Sequence, residues 1–321
     1  MRGWEFTYAH QPLRIVEKPD PIAAPGNVVI DVKASGLCHS DVGALHDEKW
    51  LALIDYLPII MGHEVAGVVS AVGEGVTGFK LGDRVGVCPL IAPGKGGPGY
   101  SWDGGYATKT TSPSRCLVPI PEGVSFAQAA AGTDAGMTSY HAMFVRGRAK
   151  AGMKVGVIGI GGLGQLGARA AVVKGCEVYA VDPSPAARQL AREIGCKDVF
   201  EKASELAAVA PELIVDYAGF GTTTADAVDA VAFGGRVVLV GMGKLESRIN
   251  TINLITKAVE LCGSVGGDVS DIAAVYELMA SGDLNPKITK IAFDEIGEGL
   301  GRLECGQVEG RLVAVLDPAE N

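Results

Sequence analysis

The chain has 321 residues, which is enough for two domains of ordinary size. Its 28 Lys and Arg against 37 Asp and Glu give a net charge of −9, which disfavours binding to nucleic acid or to an anionic membrane. A hydrophobic content of 48% with 20% charged residues excludes disorder as the default state. We therefore expect two folded domains, with no nucleic-acid or membrane partner.

The seven cysteines are odd in number and scattered, which disfavours a disulfide framework and favours a reducing compartment. The first residues contain no apolar stretch of the kind found in signal peptides. Nowhere does a run of about 18 apolar residues occur that would span a bilayer. These features predict a soluble cytoplasmic protein.

The first 130 residues have the pattern of strands and loops. Segments 27–36, 64–73 and 83–90 are rich in Val and bounded by Gly, Pro or Asp, which predicts strands. Residues 91–105 are so rich in Gly and Pro that we predict a loop without regular structure.

From residue 153 onward, short apolar runs alternate with helical patterns. The sequence predicts strands at 154–160, 177–182, 213–219, 236–242 and 259–266, and helices at 165–175, 184–195 and 222–234. Such alternation is typical of a doubly wound parallel sheet with helices on both faces.

The segment after residue 268 predicts one helix at 271–282 and one or two strands, the last at 310–317. The predicted class is therefore α/β, with a β-rich domain beside a parallel-sheet domain. We assign residues 1–135 and 268–321 to the first and 136–267 to the second.

A G-x-G-x-x-G turn follows the first strand of the second domain and leads into a helix. Its glycines allow a tight turn, close backbone approach to a pyrophosphate, and close packing of helix on strand. Asp182 ends the next strand, where a carboxylate can accept hydrogen bonds from ribose hydroxyls and would repel a 2′-phosphate. The alternative is a set of plain turns with a solvated Asp. The predicted dinucleotide site comprises Gly159, Ile160, Gly161, Gly162, Leu163, Gly164 and Asp182.

Candidate metal ligands occur at two places in the first domain. Cys38 directly follows a predicted strand, and His63 precedes another. Both residue types bind zinc well, and Asp134, near the end of the same domain, is a candidate third ligand. From spacing alone, a buried thiol and a core histidine explain the pattern as well as a metal does.

Several motifs together resemble the zinc-dependent alcohol dehydrogenases of the medium-chain dehydrogenase/reductase superfamily. They are GLCHSD (36–41), the GHE motif with its glycine-rich continuation (62–85), DGGYAT (103–108) and GIGGLGQLG (159–167). The resemblance covers nearly the whole chain. It implies a GroES-like catalytic domain, a Rossmann domain that binds NAD, one catalytic Zn²⁺, and a homodimer or homotetramer. The implied reaction is reversible hydride transfer between an alcohol and NAD, giving an aldehyde or ketone.

The resemblance also implies roles for individual residues. Cys38, His63 and Asp134 match the catalytic zinc ligands, and Glu64 matches a conditional ligand. Asp41 matches a carboxylate that orients the zinc-bound histidine, and Ser40 matches the hydroxyl that passes the substrate proton. The matches to cofactor contacts are His39 and Arg311 at the pyrophosphate, Thr138 at the nicotinamide, and Val240 and Val265 in the lining of the carboxamide pocket.

The chain departs from the family pattern at three places. The segment between Asp83 and Gly105 holds only Cys88, so the lobe that binds a second, structural zinc should be missing. Many relatives carry a proton-relay histidine where this chain has Gly43; either His46 replaces it or, as we prefer, water enters through the opening that glycine leaves. A basic residue that often follows the ribose-binding Asp by five positions is Ala187 here, with Arg188 next to it.

Substrate identity depends on weaker signals. We expect Trp50, Leu51, Leu53, Leu57 and Trp102 to border the pocket, which favours an apolar or aromatic alcohol, although they would equally suit core packing. A polyol dehydrogenase, a zinc-free reductase of the same superfamily and a non-catalytic NAD(H)-binding redox sensor are the alternatives.

Overall fold

The computed structural model describes residues 1–92 and 95–316. Its strands are β1 (Arg2–Phe6), β2 (Arg14–Glu17), β3 (Asn27–Leu37), β4 (Ile59–Ile60), β5 (Glu64–Val72), β6 (Arg84–Val87), β7 (Leu90–Ala92), β8 (Lys95–Gly96), β9 (Lys109–Pro113), β10 (Leu117–Pro119), β11 (Lys154–Ile158), β12 (Glu177–Val181), β13 (Asp198–Phe200), β14 (Leu213–Asp216), β15 (Arg236–Leu239), β16 (Glu260–Gly263), β17 (Ile288–Ala292) and β18 (Arg311–Val315).

The α-helices are α1 (His39–His46), α2 (Phe126–Ala131), α3 (Met137–Tyr140), α4 (Gly164–Val173), α5 (Pro185–Glu193), α6 (Thr222–Ala230), α7 (Thr251–Thr256), α8 (Val269–Ala280) and α9 (Ile296–Glu304). Short 3₁₀ helices lie at Glu48–Leu53, Ser114–Cys116, Ala203–Ala208 and Phe293–Glu295, and π-helical turns at Gly132–Gly136 and His141–Arg146. Among the described helices, none combines the length and the apolar character needed to cross a membrane.

The chain divides into two compact units. The first unit contains residues 1–134, 268–281 and those from 285 onward; the second contains residues 135–267 and 282–284. The assignment of 1–135 with 268–321 as a catalytic domain and 136–267 as an NAD-binding domain stays a prediction.

The second unit is built on a six-stranded parallel sheet with the order β13-β12-β11-β14-β15-β16. Its central strands alternate their side chains between two buried layers: Val157 and Val215 pack in one core, Ile158 and Ile214 in the other. The order and the two covered faces are those of a doubly wound fold, and the α/β prediction is confirmed. Of the six strands in this sheet, β13 alone was not predicted, because its three residues are too few to show a periodic pattern.

The first unit is β-rich, as predicted. Its larger sheet has the order β10-β6-β5-β3-β18-β17, with β9 also pairing with β3, and a smaller sheet joins β2, β1 and β4. β3 is the longest strand and pairs antiparallel with β5, β9 and β18. It therefore fixes the position at which Cys38 enters α1.

The prediction that residues 91–105 lack regular structure is wrong. β7 pairs with β8 in a short antiparallel ribbon, and an isolated bridge joins Pro98 to Trp102. The glycines allow close backbone approach there; a Cβ on Gly97 would lie 2.6 Å from the Pro89 carbonyl oxygen. The predicted strand 83–90 is divided at Pro89, which has no N–H for a sheet ladder. Residues 93 and 94 of this segment lie outside the described part of the chain.

The tail differs from the prediction by one further helix, α9, which lies between the parallel strands β17 and β18. Three glycines weaken its helical pattern in sequence. Close packing explains the glycine at position 299, since a Cβ there would lie 2.8 Å from Leu37 Cδ2. Of the predicted strand 310–317, β18 ends at Val315, and residue 317 lies outside the described residues.

Candidate active site

Four predicted ligand residues of the first unit converge on one point. Cys38 stands between β3 and α1, His63 and Glu64 stand at the start of β5, and Asp134 lies in the π-helical turn after α2. Because Gly36 and Glu64 are directly opposed in the β3–β5 pair, the two strands bring both motifs together. One ligand atom from each of the four residues lies within 4.8 Å of the others. We call these four residues the ligand cluster.

The donor atoms of the ligand cluster fit a zinc ion. His63 Nε2 lies 3.5 Å and Cys38 Sγ 3.9 Å from Asp134 Oδ2. Two ligands of one Zn²⁺, each about 2.0–2.3 Å from the ion, are at most about 4.6 Å apart. A thiol, an imidazole and carboxylates at this spacing are a set that zinc prefers.

The electrostatics of the cluster favour positive charge. Burial works against a charged His63 ring, but the carboxylates of Asp41 and Asp134 outweigh it and raise the pKa of His63 well above its ordinary value. A bound cation would balance the negative charge of these carboxylates in place of the second proton on His63. Burial also raises the pKa of Glu64 to about 7, against the opposing effect of the Arg311 guanidinium. Among the described residues, Glu64 Oε2 has no hydrogen-bond partner.

A hydroxyl group and an aromatic ring lie beside His63. Ser40 Oγ lies 3.4 Å from His63 Nε2, which suits its predicted role next to a substrate oxygen. The ring centroid of Tyr100 lies 5.6 Å from that of His63. Sequence reasoning missed Tyr100, because it lies in the segment that we predicted to be irregular, and no motif residue marks it.

The structure corrects the expectation of an opening at Gly43. A Cβ on Gly43 would lie 2.6 Å from Trp50 Cε2, so the indole fills the space that glycine leaves. His46 is at the other end of α1 from Ser40 and pairs with Glu304 at 3.2 Å.

The predicted pocket residues divide into two groups. Trp50 and Leu51 pack against the core of the first unit, as the alternative interpretation allowed. Leu53 and Leu57 are exposed. Trp102 is half-buried, and its indole N–H has no partner among the described residues. Their contact with a substrate stays a prediction.

The glycine-rich turn of the second unit has the backbone that a dinucleotide site requires. Gly159 adopts a φ of +86°, and a Cβ on Gly164 would lie 1.7 Å from the Gly159 carbonyl oxygen. Nothing lies within 4 Å of a Cβ position on Gly161, which leaves that part of the backbone open. Asp182 Oδ2 accepts a hydrogen bond from the Ile160 N–H at 2.8 Å, so the turn and the acidic residue are held side by side.

The remaining predicted cofactor contacts are dispersed. His39 is exposed at the start of α1. Arg311 is buried, pairs with Glu64 and donates to the Leu37 carbonyl. In the second unit, Thr138 is buried in α3, Val240 directly follows β15, and Val265, two residues after β16, is 78% exposed. Their contacts with a cofactor stay predictions.

Two family models match the chain. Residues 24–122 match the alcohol dehydrogenase GroES-like domain, and residues 162–281 match the zinc-binding dehydrogenase domain. An alcohol dehydrogenase of Geobacillus stearothermophilus is 33% identical over 96% of this chain and 97% of its own length.

Solved structures show the same fold. Acetophenone reductase from Geotrichum candidum in complex with NAD superposes with a TM-score of 0.89 at 29% identity, covering 98% of this chain and 97% of that one. The alcohol dehydrogenase from Aeropyrum pernix gives 0.90 at 26% identity, covering 98% and 100%. The chain therefore belongs to the alcohol dehydrogenase family of GroES-like, zinc-binding dehydrogenases.

Proposed function

We propose that this alcohol dehydrogenase reversibly oxidises apolar or aromatic primary and secondary alcohols to aldehydes or ketones. Its reaction class, NAD-dependent alcohol oxidoreduction, follows from the family. The proposal adds that one zinc ion is held by Cys38, His63 and Asp134, with Glu64 as a conditional ligand. The observation that carries it is the convergence of these four donors within 4.8 Å of one another.

When bound, zinc supplies a Lewis acid for the substrate oxygen, and NAD supplies the hydride acceptor. The chain's own residues supply position and a proton route. The Ser40 hydroxyl, 3.4 Å from His63 Nε2, accepts the hydroxyl proton of the alcohol and gives its own proton to a solvent water molecule.

NAD binding is proposed for the glycine-rich turn of the second unit. The open backbone at Gly161 suits a pyrophosphate, and Asp182 lies beside it to receive the ribose hydroxyls. A homo-oligomer formed through the edge strand β16 belongs to the same proposal, since β16 pairs on one side only with β15 among the described strands.

An aromatic or apolar substrate is supported by Tyr100, whose ring lies beside His63. It is also supported by the relative named for acetophenone, an aromatic ketone. The test is a steady-state assay of NADH formation with benzyl alcohol, 1-octanol, 2-propanol and sorbitol. We expect the highest kcat/KM with benzyl alcohol or 1-octanol. A preference for sorbitol would indicate a polyol dehydrogenase, and no turnover with any alcohol or matching carbonyl compound would favour a redox sensor.

A further inference from the structure

A single buried carboxylate joins two residues of the ligand cluster. Asp41 is 0% exposed, and its Oδ1 lies 3.2 Å from His63 Nδ1. Its Oδ2 accepts a hydrogen bond from the Cys38 backbone N–H at 3.2 Å. A carboxylate has no proton to give, so His63 Nδ1 carries the hydrogen and Nε2 keeps its lone pair for a metal. The same carboxylate therefore holds both the His63 imidazole and the Cys38 backbone.

Tyr106 provides the third and shortest contact to this carboxylate. Its hydroxyl donates to Asp41 Oδ2 at 2.6 Å, and its side chain is 0% exposed. Burial and the adjacent Asp41 raise the pKa of Tyr106 well above its ordinary value, so the phenol keeps its proton and acts as the donor. Charge-assisted hydrogen bonds of this kind are stronger than those between neutral groups.

The backbone before His63 fixes the position of Tyr106. Gly105 N–H donates to the Gly62 carbonyl at 2.7 Å, and Tyr106 N–H donates to the Met61 carbonyl at 2.9 Å. Gly62 has a φ of +94°, and a Cβ there would lie 2.4 Å from Tyr106 Cδ1. The tyrosine ring thus occupies the space beside the residue that precedes His63, and the two segments are held as one piece.

We infer that Tyr106 is a positioning residue for the metal site: its hydroxyl fixes the Asp41 carboxylate, which in turn holds His63 and Cys38 in a geometry suited to zinc. This inference rests on the zinc site of the proposed function. Tyr106 contacts neither the ion nor the substrate, and it acts only through Asp41. Loss of such outer partners typically weakens metal binding by 10–100-fold.

The test measures zinc affinity rather than turnover. Tyr106→Phe keeps the ring and deletes the hydroxyl; we expect the zinc Kd, measured by competition between metal-free protein and a chromogenic chelator, to rise about 10-fold or more. Tyr276→Phe is the matched control, since Tyr276 is also buried in the first unit but donates to the Ala129 carbonyl at 3.0 Å instead of to Asp41. Thermal unfolding of the metal-free proteins shows whether both variants lose similar stability.

A double-mutant cycle shows whether the effect passes through Asp41. In an Asp41→Ala background, Tyr106→Phe should leave the zinc Kd unchanged, because the bonded partner is gone. An unchanged Kd for Tyr106→Phe alone, an equal rise for Tyr276→Phe, or the same fold-change in both backgrounds would overturn the inference. A wild-type protein that binds no zinc would contradict the proposed function, and this inference with it.

Discussion

Ser40 is the side chain that we expect to move the substrate proton. Ser40→Ala should lower kcat by a factor on the order of 10² or more while the zinc content stays the same. His46→Gln should change kcat little, because His46 lies six residues further along α1, about 9 Å along the helix axis, and pairs with Glu304. Steady-state kinetics on both variants, with zinc measured on the same samples, provide the comparison.

The control for this prediction is the metal content. If His46→Gln reduces kcat as much as Ser40→Ala at equal zinc content, His46 is the relay and the geometry of α1 has been misjudged. We expect the proton route from Ser40 not to pass through a gap at Gly43, because Trp50 fills that space.

We expect Asp182 to determine the choice between the two nicotinamide cofactors. Its carboxylate lies beside the glycine-rich turn, where the 2′-phosphate of NADP would meet a like charge. Arg188 is also nearby, since its guanidinium donates to the Asp182 and Pro183 carbonyls at 2.7 and 2.8 Å. We therefore expect Asp182→Ala to lower the ratio of kcat/KM for NAD over NADP by 10-fold or more, about 1.4 kcal/mol.

Arg188→Ala is the matched variant for this experiment. In the Asp182→Ala background it should reverse part of the gain with NADP, because a positive charge near the phosphate is lost. Equal kcat/KM values for NAD and NADP in the wild type would mean that Asp182 does not face the ribose.

Within the helices, replacing Gly43 in α1 and Gly301 in α9 by alanine should change the stability of the protein in opposite directions. Alanine favours a helix over glycine by about 1 kcal/mol. At Gly301 nothing lies within 4 Å of the added Cβ, so Gly301→Ala should stabilise the protein by up to about that amount. At Gly43 the Cβ would meet Trp50 at 2.6 Å, and overpacking should destabilise by about 1–3 kcal/mol.

Urea unfolding of the two variants and the wild type measures this difference in the free energy of unfolding. Stabilisation by Gly43→Ala would show that Trp50 can leave its position at little cost. That result would support the sequence-based expectation that water enters beside Gly43.

Hydrophobic patterning was sufficient to predict the elements with strong periodicity. Strands such as β3 and β11 are Val-rich runs between turn residues, so both the parallel sheet and the β-rich unit could be predicted. Elements whose form depends on distant contacts could not. Helix α9 contains Gly299 because Leu37 lies against it, and the β7–β8 ribbon consists of residues that usually form loops.

The same limit applies to the site. The residue types of Cys38 and His63 suggest a metal, but nothing local in the sequence links them to Asp134, which is 96 residues from Cys38 in the chain. Its place near the end of the domain made Asp134 only a candidate, and the family resemblance assigned it the role of third ligand. The fold of a glycine-rich segment brings Tyr100 beside His63 and Tyr106 to Asp41, so only the structure reveals these contacts.

At the scale of the whole molecule, the proposed oligomer should depend on the apolar surface near the edge strand β16. Helix α7, which precedes this strand, exposes Ile252 and Ile255 at 70% and 74%. Replacing both with Asp should dissociate the oligomer, because desolvating two carboxylates in an interface is unfavourable. Light scattering coupled to size-exclusion chromatography measures the mass.

Ile22→Asp is the control for this experiment, since Ile22 is 88% exposed in the first unit. It should leave the molecular mass unchanged. A wild-type protein that elutes as a monomer, or a double variant that keeps the wild-type mass, would contradict an interface at β16.

We propose that Cys38, His63 and Asp134 hold one zinc ion per chain, with no second, structural zinc. The most direct test is an anomalous difference map recorded at the zinc absorption edge from crystals of the purified protein. We expect one peak per chain, about 2.0–2.3 Å from Cys38 Sγ and His63 Nε2. No peak at these residues, or a second peak in the segment 86–105, would contradict it.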